Sequence, residues 1–122
     1  MDETLSIKQM ADKTGVSAHT LRYYEKIGLL LNIARDEKGY RRYCAADVVW
    51  VSFLRQLKAT GMPLEQVQQF AELRRQGDHT ARQRREMLEA HRRVVVEQVA
   101  ALQECLAMID FKIERHRQKE SP

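Results

Sequence analysis

The sequence predicts a mostly α-helical chain: a compact helical head bearing a small β-hairpin, followed by one long helix. Two observations predict the head. Apolar residues recur at helical spacing in short stretches punctuated by Gly15, Gly28, Gly61 and Gly77, and one stretch between them reads as a hairpin. A third predicts the tail: from Ala81 to about Gln118 there is neither Gly nor Pro, in a segment rich in Arg, Glu, Gln, Ala and Leu. The 122 residues suit one domain-sized chain, divided into a head over 1–76 and a tail over 77–122.

The elements follow in order. Ser6 and Gln9 have capping-box spacing, and Ile7, Met10 and Ala11 give the first helix an apolar face until Gly15 breaks it. Ser17 is placed to cap a second helix whose inner stripe is Leu21, Tyr24 and Ile27, ending at Gly28. Two short helices joined by a Gly-containing turn have the helix-turn-helix pattern, which many helical hairpins share. Leu29 to Ala34 is mostly apolar and partly β-prone, Arg35 to Gly39 is a polar turn, and Tyr40-Arg41-Arg42-Tyr43 combines aromatic with basic residues, as a strand can. Together they read as a β-hairpin, a wing. Ala46 to Thr60 forms the next helix, with Val49, Trp50, Phe53, Leu54 and Leu57 inward. After Gly61, Pro63 takes the first position of a helix buried through Leu64, Val67, Phe70 and Leu73.

The tail helix would be capped by Asp78 or Thr80 and would run roughly 57 Å at 1.5 Å per residue. Leu88, Val95, Val99, Leu102, Leu106, Ile109 and Ile113 fall on one alternating 3-4 register, broken only at Arg92. That is a heptad seam. A single stripe on so long a helix has no cover in so small a head, so a second copy is expected to bury it, in an orientation the pattern leaves open.

Composition excludes several classes. The runs Gly28–Leu31 and Val48–Val51 are far too short to span a membrane, and the acidic start Met1-Asp2-Glu3-Thr4 lacks a secretory signal's basic and apolar regions. Two cysteines, Cys44 and Cys105, build no disulfide framework and suit a reducing, cytoplasmic setting. No Gly-rich phosphate loop and no nucleophile–base pair is present, so no enzyme is expected. His79, His91 and His116 lack companions at ligand spacing, and neither metal nor cofactor is expected. A net charge of +4 and pI near 9.3 permit nucleic-acid binding without requiring it.

Local clustering says more than net charge. In the second helix, Ser17 and Thr20 stand at the end that enters a major groove in a helix-turn-helix. His19, Arg22, Tyr23 and Lys26 make a polar face opposite Leu21 and Tyr24. Arg, Tyr and Ser donate to phosphates, and Arg forks onto guanine. A solvated helix face would look the same, but Arg41, Arg42 and Tyr43 supply a second basic-aromatic cluster in the wing.

The run Thr20-Leu21-Arg22-Tyr23-Tyr24-Glu25-Lys26-Ile27-Gly28-Leu29-Leu30 resembles the recognition-helix signature of the MerR family of bacterial transcription regulators. Tyr40-Arg41-Arg42-Tyr43 resembles that family's wing. Asp47-Val48 with Phe53 to Glu65 resembles its third and fourth helices, and the likeness runs from Leu5 to about Leu73. The resemblance implies an antiparallel coiled-coil homodimer on double-stranded promoter DNA. It implies a pseudo-palindromic operator inside an over-long −35/−10 spacer, distorted so that RNA polymerase can engage. Carried over residue by residue, it implies DNA contacts by Ser17, His19, Thr20, Arg22, Tyr23 and Lys26, by Arg41, Arg42 and Tyr43 of the wing, and by Lys58 of a second wing. Tyr24 is either core, as its spacing from Leu21 suggests, or a phosphate contact, as the family pattern suggests.

The signal is a separate matter. Metal-sensing members carry cysteines at the start of the dimerisation helix and in a later loop, whereas Gly77-Asp78-His79-Thr80 has none. Chain length resembles the thiol-responsive branch linked to aldehydes and other electrophiles. Members of that branch often carry a cysteine where this chain has Gln56. Cys44, beside Arg41 and Arg42 and near a helix N-terminus, is the substitute thiol sensor, because both neighbours favour thiolate. An ordinary cysteine standing at a cap position is the plainer reading, and Cys105 reads as packing beside the seam. A coiled-coil adaptor and an architectural DNA-binding protein are the alternatives to a promoter-remodelling regulator.

Overall fold

A computed structural model describes residues 3–120, in two units that divide between Thr80 and Ala81. In the first, α1 (Ile7–Thr14) opens with the expected capping box: Gln9 N–H donates to Ser6 Oγ at 3.2 Å and Ser6 N–H to Gln9 Oε1 at 2.9 Å. Gly15 ends α1 in the left-handed region, φ 75°, and the guanidinium of Arg55 lies 3.2 Å from where a Cβ would project. Thr14 fixes the turn from inside, donating to Met10 O at 2.8 Å and accepting from Val16 N at 3.2 Å. Ser17 caps α2 (Ala18–Lys26), accepting from Thr20 N at 3.1 Å.

The hairpin is shorter than its apolar run. Leu29 and Leu30 are core, and only β1 (Ala34–Arg35) and β2 (Arg41–Arg42) pair, antiparallel, with Ala34 opposite Arg42 and Arg35 opposite Arg41. Asp36 builds the turn, its Oδ1 accepting from Lys38 N and Tyr40 N at 2.9 Å each. Leu5 bridges to Tyr43, tying the start of the described chain to the wing's base.

Helix α3 (Ala45–Ala59) starts at Cys44 as cap, and α4 (Leu64–Gln76) has Pro63 as its cap residue, one position earlier than expected. Val49 is a correction. It is 71% exposed, while Val51 is fully buried alongside Trp50, Leu54 and Leu57. The four consecutive apolar residues Val48–Val51 cannot all face inward on a helix, and the packing chose the phase running 50, 51, 54, 57. Trp50, Phe53 and Phe70 cluster with ring centroids 5.9–6.2 Å apart, and Trp50 Nε1–H donates to Leu29 O at 2.8 Å. Arg74 covers the cluster, its Cζ 4.2 Å from the Trp50 ring centre.

Thr80 directly precedes the long tail helix. It closes a 3₁₀ turn (Asp78–Thr80), is buried, and its Oγ1 lies 2.6 Å from Leu73 O, which fastens the turn onto α4. That moves the end of the first unit past residue 76. The second unit is α5 (Ala81–Glu120), 40 residues and roughly 60 Å long. None of its described residues is buried. Val99, Leu102, Leu106, Ile109 and Ile113 are exposed, and Leu88 and Val95 half-buried.

Candidate nucleic-acid interface

The site begins with a cap. Ser17 Oγ accepts from the Thr20 amide and also lies 3.0 Å from Thr20 Oγ1, so both hydroxyls are pre-positioned at the α2 N-terminus. That end concentrates unpaired N–H groups and a partial positive charge, which suits an anion. Beyond it, His19, Arg22, Tyr23 and Lys26 are exposed on α2, and none has a polar partner among the described residues. The opposite face holds Leu21 and Tyr24 in the core.

Tyr24 resolves towards packing. It is 5% exposed, and burial pushes its hydroxyl above the ordinary tyrosine range. Its ring nevertheless helps line a cavity of about 380 Å³ together with Tyr23 of α2, Leu54 and Lys58 of α3, and Leu64 and Val67 of α4. Lys58, exposed and without an ion pair among the described residues, therefore shares one cleft with the aromatic pair of α2.

In the wing, one of the three predicted positions is buried and the other two are paired within the protein. Tyr43 is a correction: at 1% exposed its ring is core, and its hydroxyl is buried with no hydrogen-bond partner among the described residues. Burial is the main cause that raises its pKa; the nearby charges of Arg41, Glu25, Arg22 and Asp47 act in opposing directions. Arg41 Nε donates to Glu25 Oε2 at 2.6 Å. Arg42 donates through Nε to Thr4 Oγ1 and through a terminal nitrogen to Thr4 O, both at 3.0 Å. Both arginines are half-buried and held by the protein itself. Among the exposed wing residues that sequence reasoning passed over is Tyr40, at 67%; its place beside Gly39, next to the hairpin turn, was the available signal. Glu25 was also passed over, and nothing local marks it, since its partner lies 16 residues away.

Cys44 is exposed and stands at the N-terminus of α3, so one of the two features that made it a candidate is present and the other is not. The neighbouring arginines are turned to Glu25 and Thr4. Instead Asp47 Oδ2 accepts the Cys44 amide at 2.9 Å and lies 3.3 Å from Sγ, a contact that the protonated thiol makes as donor. No group of three or more metal-ligating side chains occurs among the described residues. Nor is any helix among them long and apolar enough to cross a membrane.

Comparison with known proteins decides the family. Residues 5–73 match the family model for the MerR HTH family of regulatory proteins. The chain belongs to the MerR family. Residues 48–110 of this MerR regulator also match the model described as MerR, DNA binding. An uncharacterized HTH-type transcriptional regulator of Haemophilus influenzae is 41% identical over 110 residues, 90% of this chain and 82% of that protein. The crystal structure of HiNmlR, a MerR family regulator lacking the sensor domain and bound to promoter DNA, aligns with a TM-score of 0.83 at 39% identity. It covers 95% of this chain and 92% of that one. A MerR family regulator from Listeria monocytogenes aligns at 0.80 and 40% identity, over 93% and 86% of the two chains. The fold expected for this MerR regulator, a winged helix-turn-helix head and a long helix of coiled-coil pattern, is that of these relatives.

Proposed function

We propose that this MerR regulator works as a homodimer that grips a pseudo-palindromic promoter operator and distorts an over-long −35/−10 spacer, so that RNA polymerase can engage. The observation that carries the reading is the unpaired face of α2: His19, Arg22, Tyr23 and Lys26 stand free beside a pre-built helix N-terminus. Such a face supplies base readout through Arg22 and phosphate contacts around it. Lys58 adds a point charge to a phosphate. A second copy, zipped antiparallel along the seam of α5, supplies the matching head for the other half-site. The DNA-bound HiNmlR relative supports the DNA partner. The cytoplasm, where thiols stay reduced, is the setting that fits two unpaired cysteines.

The test uses the DNA upstream of the gene itself. Fluorescence anisotropy on an inverted repeat found there, against a scrambled duplex of equal length, should show tighter binding to the repeat by 10³-fold or more at moderate salt. Transcription from that promoter should then depend on spacer length, with regulation lost when the spacer is shortened to ordinary length. Equal binding to both duplexes would refute the operator, and regulation indifferent to spacer length would favour a simple architectural binder. The proposed signal is an electrophile or aldehyde acting at Cys44 or Cys105, both exposed. Replacing both with Ser should abolish any aldehyde response; a response that survives assigns it elsewhere.

A further inference from the structure

Two arginines, Arg35 and Arg41, stand directly opposite each other across the two-stranded wing. Facing residues on one antiparallel pair share a face, and like charges there repel. The structure answers that repulsion from outside the hairpin. Glu25, near the end of α2, places Oε2 2.6 Å from Arg41 Nε and Oε1 3.8 Å from Arg35. Arg35 is further held by its own turn, donating to Gly39 O at 2.9 Å. The Glu25 and Arg41 side chains are each about a quarter exposed, so the pair is screened less than a fully solvated one.

We propose that Glu25 is a positioning and specificity-determining residue of the DNA interface. Its carboxylate clamps the wing to the recognition helix and neutralises Arg41, so that the wing follows the position read by α2 instead of seizing any nearby phosphate. This rests on the DNA-binding reading above. Its logic is that of a charge withheld. A free wing arginine would add affinity for every duplex alike and carry no sequence information. An arginine held on Glu25 adds geometry without adding that indiscriminate attraction.

The consequences are measurable as salt dependence. Glu25→Gln keeps the side chain's size and removes its charge. Arg41 then becomes an independent phosphate contact, so the slope of log K against log salt steepens by about 0.9 on a non-specific duplex. At 0.1 M salt that corresponds to roughly eightfold tighter non-specific binding. The operator gains less, because the wing is no longer held in register, and the specific-to-non-specific ratio falls. Adding Arg41→Gln to Glu25→Gln returns the slope to the wild-type value. Arg41→Gln alone leaves it near wild type, since the cation removed was already neutralised. Glu25→Asp, which retains the charge, stays closer to wild type than Glu25→Gln does. Thermal melts of each variant establish that the head is folded.

An unchanged slope and ratio for Glu25→Gln would overturn the proposal. So would equal weakening on both duplexes with the slope unchanged, which marks a structural prop. Arg41→Gln alone lowering the slope by about 0.9 would show that Arg41 already holds a phosphate, and would overturn it too. Failure of the wild-type protein to bind either duplex is a different result: it removes the DNA-binding reading itself.

Discussion

The Tyr43 hydroxyl is buried without a partner, and a group in that condition costs stability. Tyr43→Phe removes the orphan and keeps the ring, so it should stabilise the protein by about 1 kcal/mol in urea unfolding at pH 7 and fixed protein concentration. The pH dependence has a definite sign. Burial raises the folded-state pKa of Tyr43 above its ordinary value near 10, so the folded protein prefers the neutral phenol. That preference is fully present below pH 10 and is lost as pH climbs through the raised folded value. The Phe variant should keep more of its stability above pH 10 than the parent; parallel decline of both would place the alkaline sensitivity elsewhere, Tyr24 being the next candidate. On the proposed DNA face the exposed side chains separate by role. Arg22→Ala should cost about 1–3 kcal/mol on the operator and little on scrambled DNA, if Arg22 forks onto a base. Lys58→Ala should weaken both and flatten the salt slope by about 0.9.

At the scale of elements, legibility in the sequence followed the range of the interactions. Caps are local, so Ser6 with Gln9 and Ser17 with Thr20 were readable from spacing alone, and so was the glycine turn at Gly15. The phase of α3 was not, because Val48–Val51 offers four consecutive apolar residues and periodicity cannot choose among them; only tertiary packing puts Val51 in and Val49 out. The wing was legible as a hairpin, but the fates of its arginines were not. Arg42 is held by Thr4, 38 residues away, and no local pattern marks that. Ser17 illustrates how one residue joins helix and interface. Ser17→Ala should cost about 1 kcal/mol of stability by removing the cap, whereas Ser17→Gly should cost only a few tenths. Both remove the hydroxyl from the proposed DNA face. Operator affinity lost equally in the two variants therefore measures the contact, and loss confined to Ala measures the cap.

For the whole molecule the decisive question is what covers α5. Its seam residues Val99, Leu102, Leu106, Ile109 and Ile113 repeat at heptad spacing, and all are exposed in the single chain. Local ion pairs such as Arg85–Glu89 at 2.7 Å contribute little, being solvent-exposed and worth a few tenths of a kcal/mol each. In the homodimer proposed above, a second copy offers the same stripe and would cover this one. Leu102→Glu or Val99→Asp introduces a charge that a paired seam would have to desolvate without a counter-ion, which is strongly unfavourable. Either variant should sediment as a monomer. Operator affinity should then fall by 10²- to 10⁴-fold, because the second head no longer binds at the high effective concentration that linkage supplies. Glu104→Lys, on the face opposite the seam, makes the control: it changes charge by more and should leave both sedimentation and affinity nearly unaltered. A Leu102→Glu protein that still sediments as a dimer would mean the seam is not the interface. One that sediments as a monomer yet binds the operator undiminished would mean a single head suffices, and the symmetry argument for the palindrome would go with it.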